Sequence, residues 1–174
     1  MSSPRPVRLV HSMDEGLISQ LTEVLIDCVE GGASVSFMNP LTPERAVAFW
    51  RGVAMGVSAG ERALLVAEDA LGACGTVQLV LQQPENQPHR ADLVKMLVHR
   101  RARRQGLGAA LLAGAEATAR ECGKTLLVLD TASDDAERLY ARQGWLRVGA
   151  IPGYALLPAG GLCDTTVYYR SLGD

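Results

Sequence analysis

The chain has 174 residues, nearly half of them hydrophobic, which suits one domain with a sizeable core. A formal net charge of −2 gives no general attraction to nucleic acid, the one basic cluster (Arg100, Arg101, Arg103, Arg104) has no interleaved aromatics to stack bases, and no run is apolar enough to span a membrane. The four cysteines are widely spaced and form no metal-ligand grouping with His11, His89 or His99, so no metal is expected; they read as reduced thiols of a cytoplasmic protein, and Met1–Val7 lacks the apolar core of a signal peptide.

Pro6–His11 alternates weakly and predicts a first strand. Ser12-Met13-Asp14-Glu15 has the form of a capping box, and Leu17, Ile18, Leu21, Val24, Leu25 and Cys28 follow on one helical stripe up to Gly31-Gly32. Residues 31–41 read as a loop. Thr42-Pro43 then caps a second helix, with proline at the first helical position, running to about Ala59-Gly60. Arg62–Glu68 and Cys74–Gln82 predict a hairpin about the turn Asp69–Gly72, Pro84–His89 a polar loop, and Ala91–Val98 a long strand. A helix carrying Leu111, Leu112, Ala115, Thr118, Ala119 and Cys122 ends at Gly123. Leu126–Leu129 is a short strand ending at Asp130, and Asp134–Gln143 is a helix ended by Gly144. Trp145–Ala150 and Thr165–Ser171 are the last strands, separated by a Pro/Gly-rich loop over 152–164. The order β α α β β β α β α β β has no internal repeat and gives a mixed α/β class.

The most telling stretch is Arg103-Arg104-Gln105-Gly106-Leu107-Gly108, between the long strand and an Ala/Leu-rich helix. A strand feeding a glycine-rich turn at a helix start makes an anion site. The first-turn N–H groups point outward, the helix dipole adds positive charge, and glycine lets the backbone approach a ligand. Alone, the same stretch also describes a helix start with a solvated basic turn. It matches neither G-x-x-x-x-G-K-[ST] nor G-x-G-x-x-G; it matches R-x-x-G-x-G.

With Val98 ending the strand, this turn resembles the acetyl-CoA pyrophosphate loop of the GNAT superfamily of N-acetyltransferases. A second element, Ala136-Glu137-Arg138-Leu139-Tyr140-Ala141-Arg142-Gln143-Gly144-Trp145, is similar to the family's A-x-x-L-Y-x-x-x-G-[FW]. The resemblance spans nearly the whole chain. It implies a single α/β (α+β) domain over residues 1–174, a mixed sheet of about seven strands flanked by about four helices, with acetyl-CoA as the cofactor. The implied cofactor contacts are Met96, Leu97, Val98, Arg103, Arg104, Gln105, Gly106, Leu107, Gly108, Ala109, Ser133 and Tyr140. Backbone N–H and C=O groups at Leu97 and Val98 are expected free for pantetheine, although both side chains also suit the core.

Acetyl transfer to an amine needs a polarised thioester, a base and a proton for the departing thiolate. By family position Tyr140 supplies that proton; a phenol near ~10 and a thiol near ~8.5 make the transfer uphill by about 2 kcal/mol. A tyrosine packed under the cofactor is the other reading. Ser133 stands where the family often has Asn. Asp130 is the first candidate for base or substrate anchor, against a capping role. Asp92, where many relatives carry Glu, is expected to act through a water. Lys95 interrupts an apolar strand and needs a partner, either Asp92 or a substrate carboxylate.

Gly31–Met38, Arg90-Ala91 and Ile151-Pro152-Gly153-Tyr154 resemble the tabtoxin resistance acetyltransferases, which implies a small amino-acid-like toxin as acceptor. In that setting Ser34, Phe37, Asp92, Lys95 and Tyr154 contact the substrate. Cys163 departs from the histidine frequent there, which bears on acceptor identity. The expected acceptor is therefore a small-molecule amine, reached by direct transfer. Acetylation of protein amines stays open, although residues 31–41 contain no Asp or Glu. A non-catalytic acyl-CoA-binding module is the alternative of another class. An exposed sheet edge leaves a homodimer open.

Overall fold

The computed structural model describes residues 7–173. In chain order it contains β1 (Val7–Val10), α1 (Glu15–Glu30), α2 (Pro43–Ser58), β2 (Arg62–Asp69), β3 (Gly72–Val80), β4 (Arg90–Val98), α3 (Leu107–Glu121), β5 (Leu126–Thr131), α4 (Asp134–Arg142), β6 (Leu146–Leu156) and β7 (Leu162–Ser171). A single 3₁₀ turn, Arg100–Ala102, joins β4 to the glycine-rich turn. The expected element order holds; Pro6 of the first strand and Met1–Pro6 of the signal-peptide argument lie outside the described residues.

The seven strands form one sheet in the order β1-β2-β3-β4-β5-β7-β6, and β4 with β5 is its parallel pair. Parallel neighbours need a crossover, and α3 supplies it. The predicted stripe of α1 is buried: Leu21, Val24 and Leu25 are fully covered, each contributing about 1.5–3 kcal/mol by leaving water. They join Trp50 and Val53 of α2 in a core on one face of the sheet, while Leu111, Leu112 and Ala115 of α3 and Tyr140 of α4 form the core of the other.

Two local expectations are corrected. The capping box at Ser12 does not form. Asp14 caps α1, its carboxylate accepting from Leu17 N–H at 2.8 Å, because an acidic side chain two residues nearer the apolar stripe meets the helix dipole directly. Thr42 does cap α2, through Arg45 N–H at 3.4 Å. The second correction concerns residues 152–164: instead of a free loop, β6 runs on to Leu156 and β7 begins at Leu162. A register shift between Ile151 and Ala155 absorbs Pro152-Gly153-Tyr154. Gly153 takes φ +60, a conformation that suits glycine, and its N–H donates to Asp164 Oδ1 at 2.9 Å.

Candidate functional site

The sheet divides where β4 and β5 part. They pair only over Arg90–Asp92 and Leu126–Val128. Beyond that, β4 stays with β3 as far as Val98, and β5 stays with β7 as far as Thr131. Each strand is held on its outer edge, so the inner edges open into a wedge with unpaired backbone groups. A bulge sharpens the parting: Lys95 has φ +52, and β4 has one residue more than β3 between the pairs Gln78–Val94 and Thr76–Leu97. The wedge opens into a cleft of about 950 Å³ whose lining includes Met96, Leu97, Val98, Arg103, Arg104, Gly106, Leu107, Gly108, Ala109, Ser133 and Tyr140.

The glycine-rich turn lies at the cleft mouth. Gly106 is the N-cap of α3 at φ +76, with no side chain closing the helix end and open space where a Cβ would stand. Gly108 is small for a different reason: a Cβ there would lie 2.9 Å from Leu139 of α4. The four arginines divide. Arg100 donates to Asp27 from its side chain and, at 2.9 Å, from its backbone N–H; Arg101 donates to Asp69 at 3.0 Å and to the Ala73 carbonyl at 2.8 Å. Both brace the fold rather than meet a ligand. Arg103 reaches the cleft while donating to the Val98 carbonyl at 3.0 Å, and the Cys28 thiol sits 3.6 Å from the same oxygen. That carbonyl is therefore not free, contrary to expectation. Arg104 at φ +58 makes no side-chain hydrogen bond or ion pair among the described residues. Gln105 does not line the cleft; its amide donates to the Arg101 carbonyl at 3.2 Å.

Tyr140 packs between Trp145 and Tyr168, ring centroids 5.8 and 5.9 Å away. Those neighbours use their polar atoms elsewhere: Trp145 donates to Glu116 and Tyr168 to Glu137. Tyr140 is 4 % exposed, borders the cleft, and its hydroxyl has no hydrogen-bond partner among the described residues. Burial, with the charge of Asp130 adding to it, pushes its pKa up to about 12. Ser133 caps α4, its hydroxyl oxygen accepting from Ala136 N–H at 3.3 Å, and lies on the cleft wall.

Asp130 does not cap a helix. It stands near the end of β5, exposed at the wedge, and accepts from Thr165 Oγ1 at 2.7 Å. Lys95 donates to Ser36 Oγ at 3.0 Å rather than to Asp92. Burial lowers its pKa from the ordinary lysine value, opposed by the charge of Asp130. Asp92 is the clearest miss: it ion-pairs with Arg90, accepts from Gln83 Nε2 at 3.1 Å, and lines neither cavity, because β4 and β5 are still joined there.

A smaller cavity of about 260 Å³ adjoins the cleft, and Ser34, Ser36, Asp130, Thr131 and Ala132 border both. Its walls include Phe37 and Tyr154, and also Cys163, Asp164 and Thr165 of β7. Thr165, Ser36 and Asp164 were missed. A threonine in a terminal strand carries no local signal of its distant carboxylate, and Asp164 is tied to Gly153, eleven residues away.

The matching family model is the acetyltransferase (GNAT) family, over residues 33–145. Among solved structures, yncA from Salmonella typhimurium, solved with its cofactor acetyl-CoA, is 20% identical with a TM-score of 0.78, covering 99% of this chain and 96% of that one. A ribosomal-protein-alanine N-acetyltransferase from Brucella melitensis is 22% identical at TM-score 0.78, covering 94% and 99%. A phosphinothricin acetyltransferase from Sinorhizobium meliloti, in complex with acetyl-CoA, is 17% identical at TM-score 0.80, covering 98% and 90%. The three likenesses show a shared fold, and the family match across 33–145, which contains the split wedge, the glycine-rich turn and Tyr140, establishes that the chain belongs to the acetyltransferase (GNAT) family.

Proposed function

We propose that the chain transfers an acetyl group from acetyl-CoA directly to a primary amine of a small molecule, in a toxin- or antibiotic-detoxifying role. The observation that carries this reading is the junction at Asp130, where a long cleft with an uncapped helix end meets a small separate cavity. The residues present suit the cofactor: an open glycine at the α3 N-terminus, strand edges that part, and an Arg104 side chain and Tyr140 hydroxyl without partners among the described residues.

When bound, acetyl-CoA supplies an acetyl group activated as a thioester. The first-turn N–H groups of α3 hold phosphate oxygens, with Arg103 and Arg104 adding charge. The unpaired edge of β4 orients the donor and offers N–H groups to its carbonyl. Asp130 takes the proton that the amine nitrogen loses as the new N–C bond forms and the C–S bond breaks; Thr165 holds its carboxylate in place. Tyr140 keeps its proton on Oη at neutral pH and presents it to the departing sulfur. With a pKa of about 12, full transfer to a thiol near ~8.5 is uphill by about 5 kcal/mol, so hydrogen-bond donation is the role that fits, in place of the easier transfer expected from an ordinary phenol. Lys95 fastens the acceptor loop to β4 through Ser36.

The small cavity and a loop without acidic residues favour a small amine over a protein chain. Four free cysteines suit the cytoplasm, and no helix among the described residues is long and apolar enough to cross a membrane. The edge strand β6, with Leu146 and Val148 exposed, is the candidate pairing edge of a homodimer. The test is thiol release from acetyl-CoA across a panel of small amines and peptides. Turnover confined to small amines is expected. Turnover confined to peptides would overturn the acceptor class, and acetyl-CoA binding without any turnover would overturn direct transfer.

A further inference from the structure

Resting on the acetyl-transfer reading, we infer that the acceptor is a short dication, a small diamine or aminoalkyl amidine, whose second cation sits against Asp164. The charged groups of the acceptor cavity set this. Its lining holds two carboxylates, Asp130 and Asp164, and no Lys, Arg or His. Lys95 lines the adjoining cleft rather than the cavity, and its ammonium is hydrogen-bonded to Ser36 at 3.0 Å. Asp164 makes no ion pair among the described residues, so its charge is left for a ligand.

Asp164 is held in place rather than swinging free. Its Oδ1 accepts from Gly153 N–H at 2.9 Å across the irregular β6–β7 pairing, which leaves the second oxygen of the carboxylate for a ligand. Phe37 and Tyr154 also line the cavity, and aromatic rings favour a cation over an anion beside them. One amine placed at Asp130, where the cavity meets the cleft, would leave the other end of a short chain in a cavity that Asp164 also lines. An acceptor with a carboxylate at that end would meet a second negative charge with no cation to offset it. The Cys163 thiol, 3.7 Å from Ser34 Oγ, also lines the cavity and adds no positive charge.

The experiment compares kcat/KM for three acceptors of matched length, butylamine, putrescine and 4-aminobutyrate, in the full chain and in Asp164→Asn. Asparagine keeps an oxygen for Gly153 N–H, and acetyl-CoA binding by calorimetry reports that the donor side is intact. Putrescine is expected to lead the series, 4-aminobutyrate to trail it, and the putrescine-to-butylamine ratio to fall by about fivefold or more in the variant. Preference for 4-aminobutyrate, or a ratio unchanged by the substitution, would overturn the inference while leaving acetyl transfer standing. Acetyl-CoA binding with no turnover of any amine would remove the acetyl-transfer reading itself, and this inference with it.

Discussion

Tyr140 combines a buried ring with a hydroxyl that borders the cleft and has no partner among the described residues. Tyr140→Phe keeps the ring packing against Trp145 and Tyr168 and removes only that donor. Turnover is expected to fall about tenfold to a hundredfold with acetyl-CoA affinity unchanged, measured by thiol release and calorimetry; an unchanged kcat would end the assignment. Its titration is a second check. A phenol raised from 10.0 unfolded to about 12 folded stabilises the fold fully below the unfolded value, and that stability is lost as pH climbs through 12. The contribution is about 3 kcal/mol for two units. Alkaline titration followed at the phenolate absorbance should therefore lose a late-ionising phenol in Tyr140→Phe.

At the scale of the element, α3 begins where nothing closes it. Gly106 at φ +76 is a conformation that costs an L-residue about 1 kcal/mol or more, and a side chain there would enter the open space before the helix end. Gly106→Val is expected to weaken acetyl-CoA binding by at least about a hundredfold in calorimetry while the fold survives, since no protein atom lies within 4 Å of the added Cβ. Undiminished binding would refute the phosphate turn. The bulge at Lys95 is the matching device in β4: it turns an otherwise regular strand away from β5 and carries the lysine to Ser36.

Over the whole molecule, the two cores on opposite faces of the sheet meet through Asp27. This buried carboxylate on α1 accepts from Arg100 and lies 4.0 Å from Arg103, so the helix of one layer braces the turn that precedes the helix of the other. Asp27→Asn should lower stability by about 2 kcal/mol in denaturant unfolding and weaken acetyl-CoA binding as well, because the strand-to-helix turn loses its anchor. A loss of stability with affinity untouched would mean that the brace does not govern the turn.

Much of this was legible in the sequence. The order of elements followed from apolar periodicity and from Gly and Pro punctuation, which are local properties, and the two linked motifs located the cleft, the turn and Tyr140. Even the Thr42 cap and the Gly31-Gly32 stop rest on neighbours a few residues apart. What the sequence left open depends on residues brought together from afar. Arg100 and Arg101 stand in the same basic cluster as Arg103 and Arg104, yet Asp27 and Asp69, distant in sequence, engage them. Asp92 read as a site residue from its place in the family pattern, but the parting of β4 from β5 starts one residue later. The continuation of β6 past Pro152 depends on a bulge and on Asp164 eleven residues away. Local chemistry specified the helices, the strands and the motif-bearing turn; charge pairing and strand separation, which act across the chain, decided which of their side chains face the site.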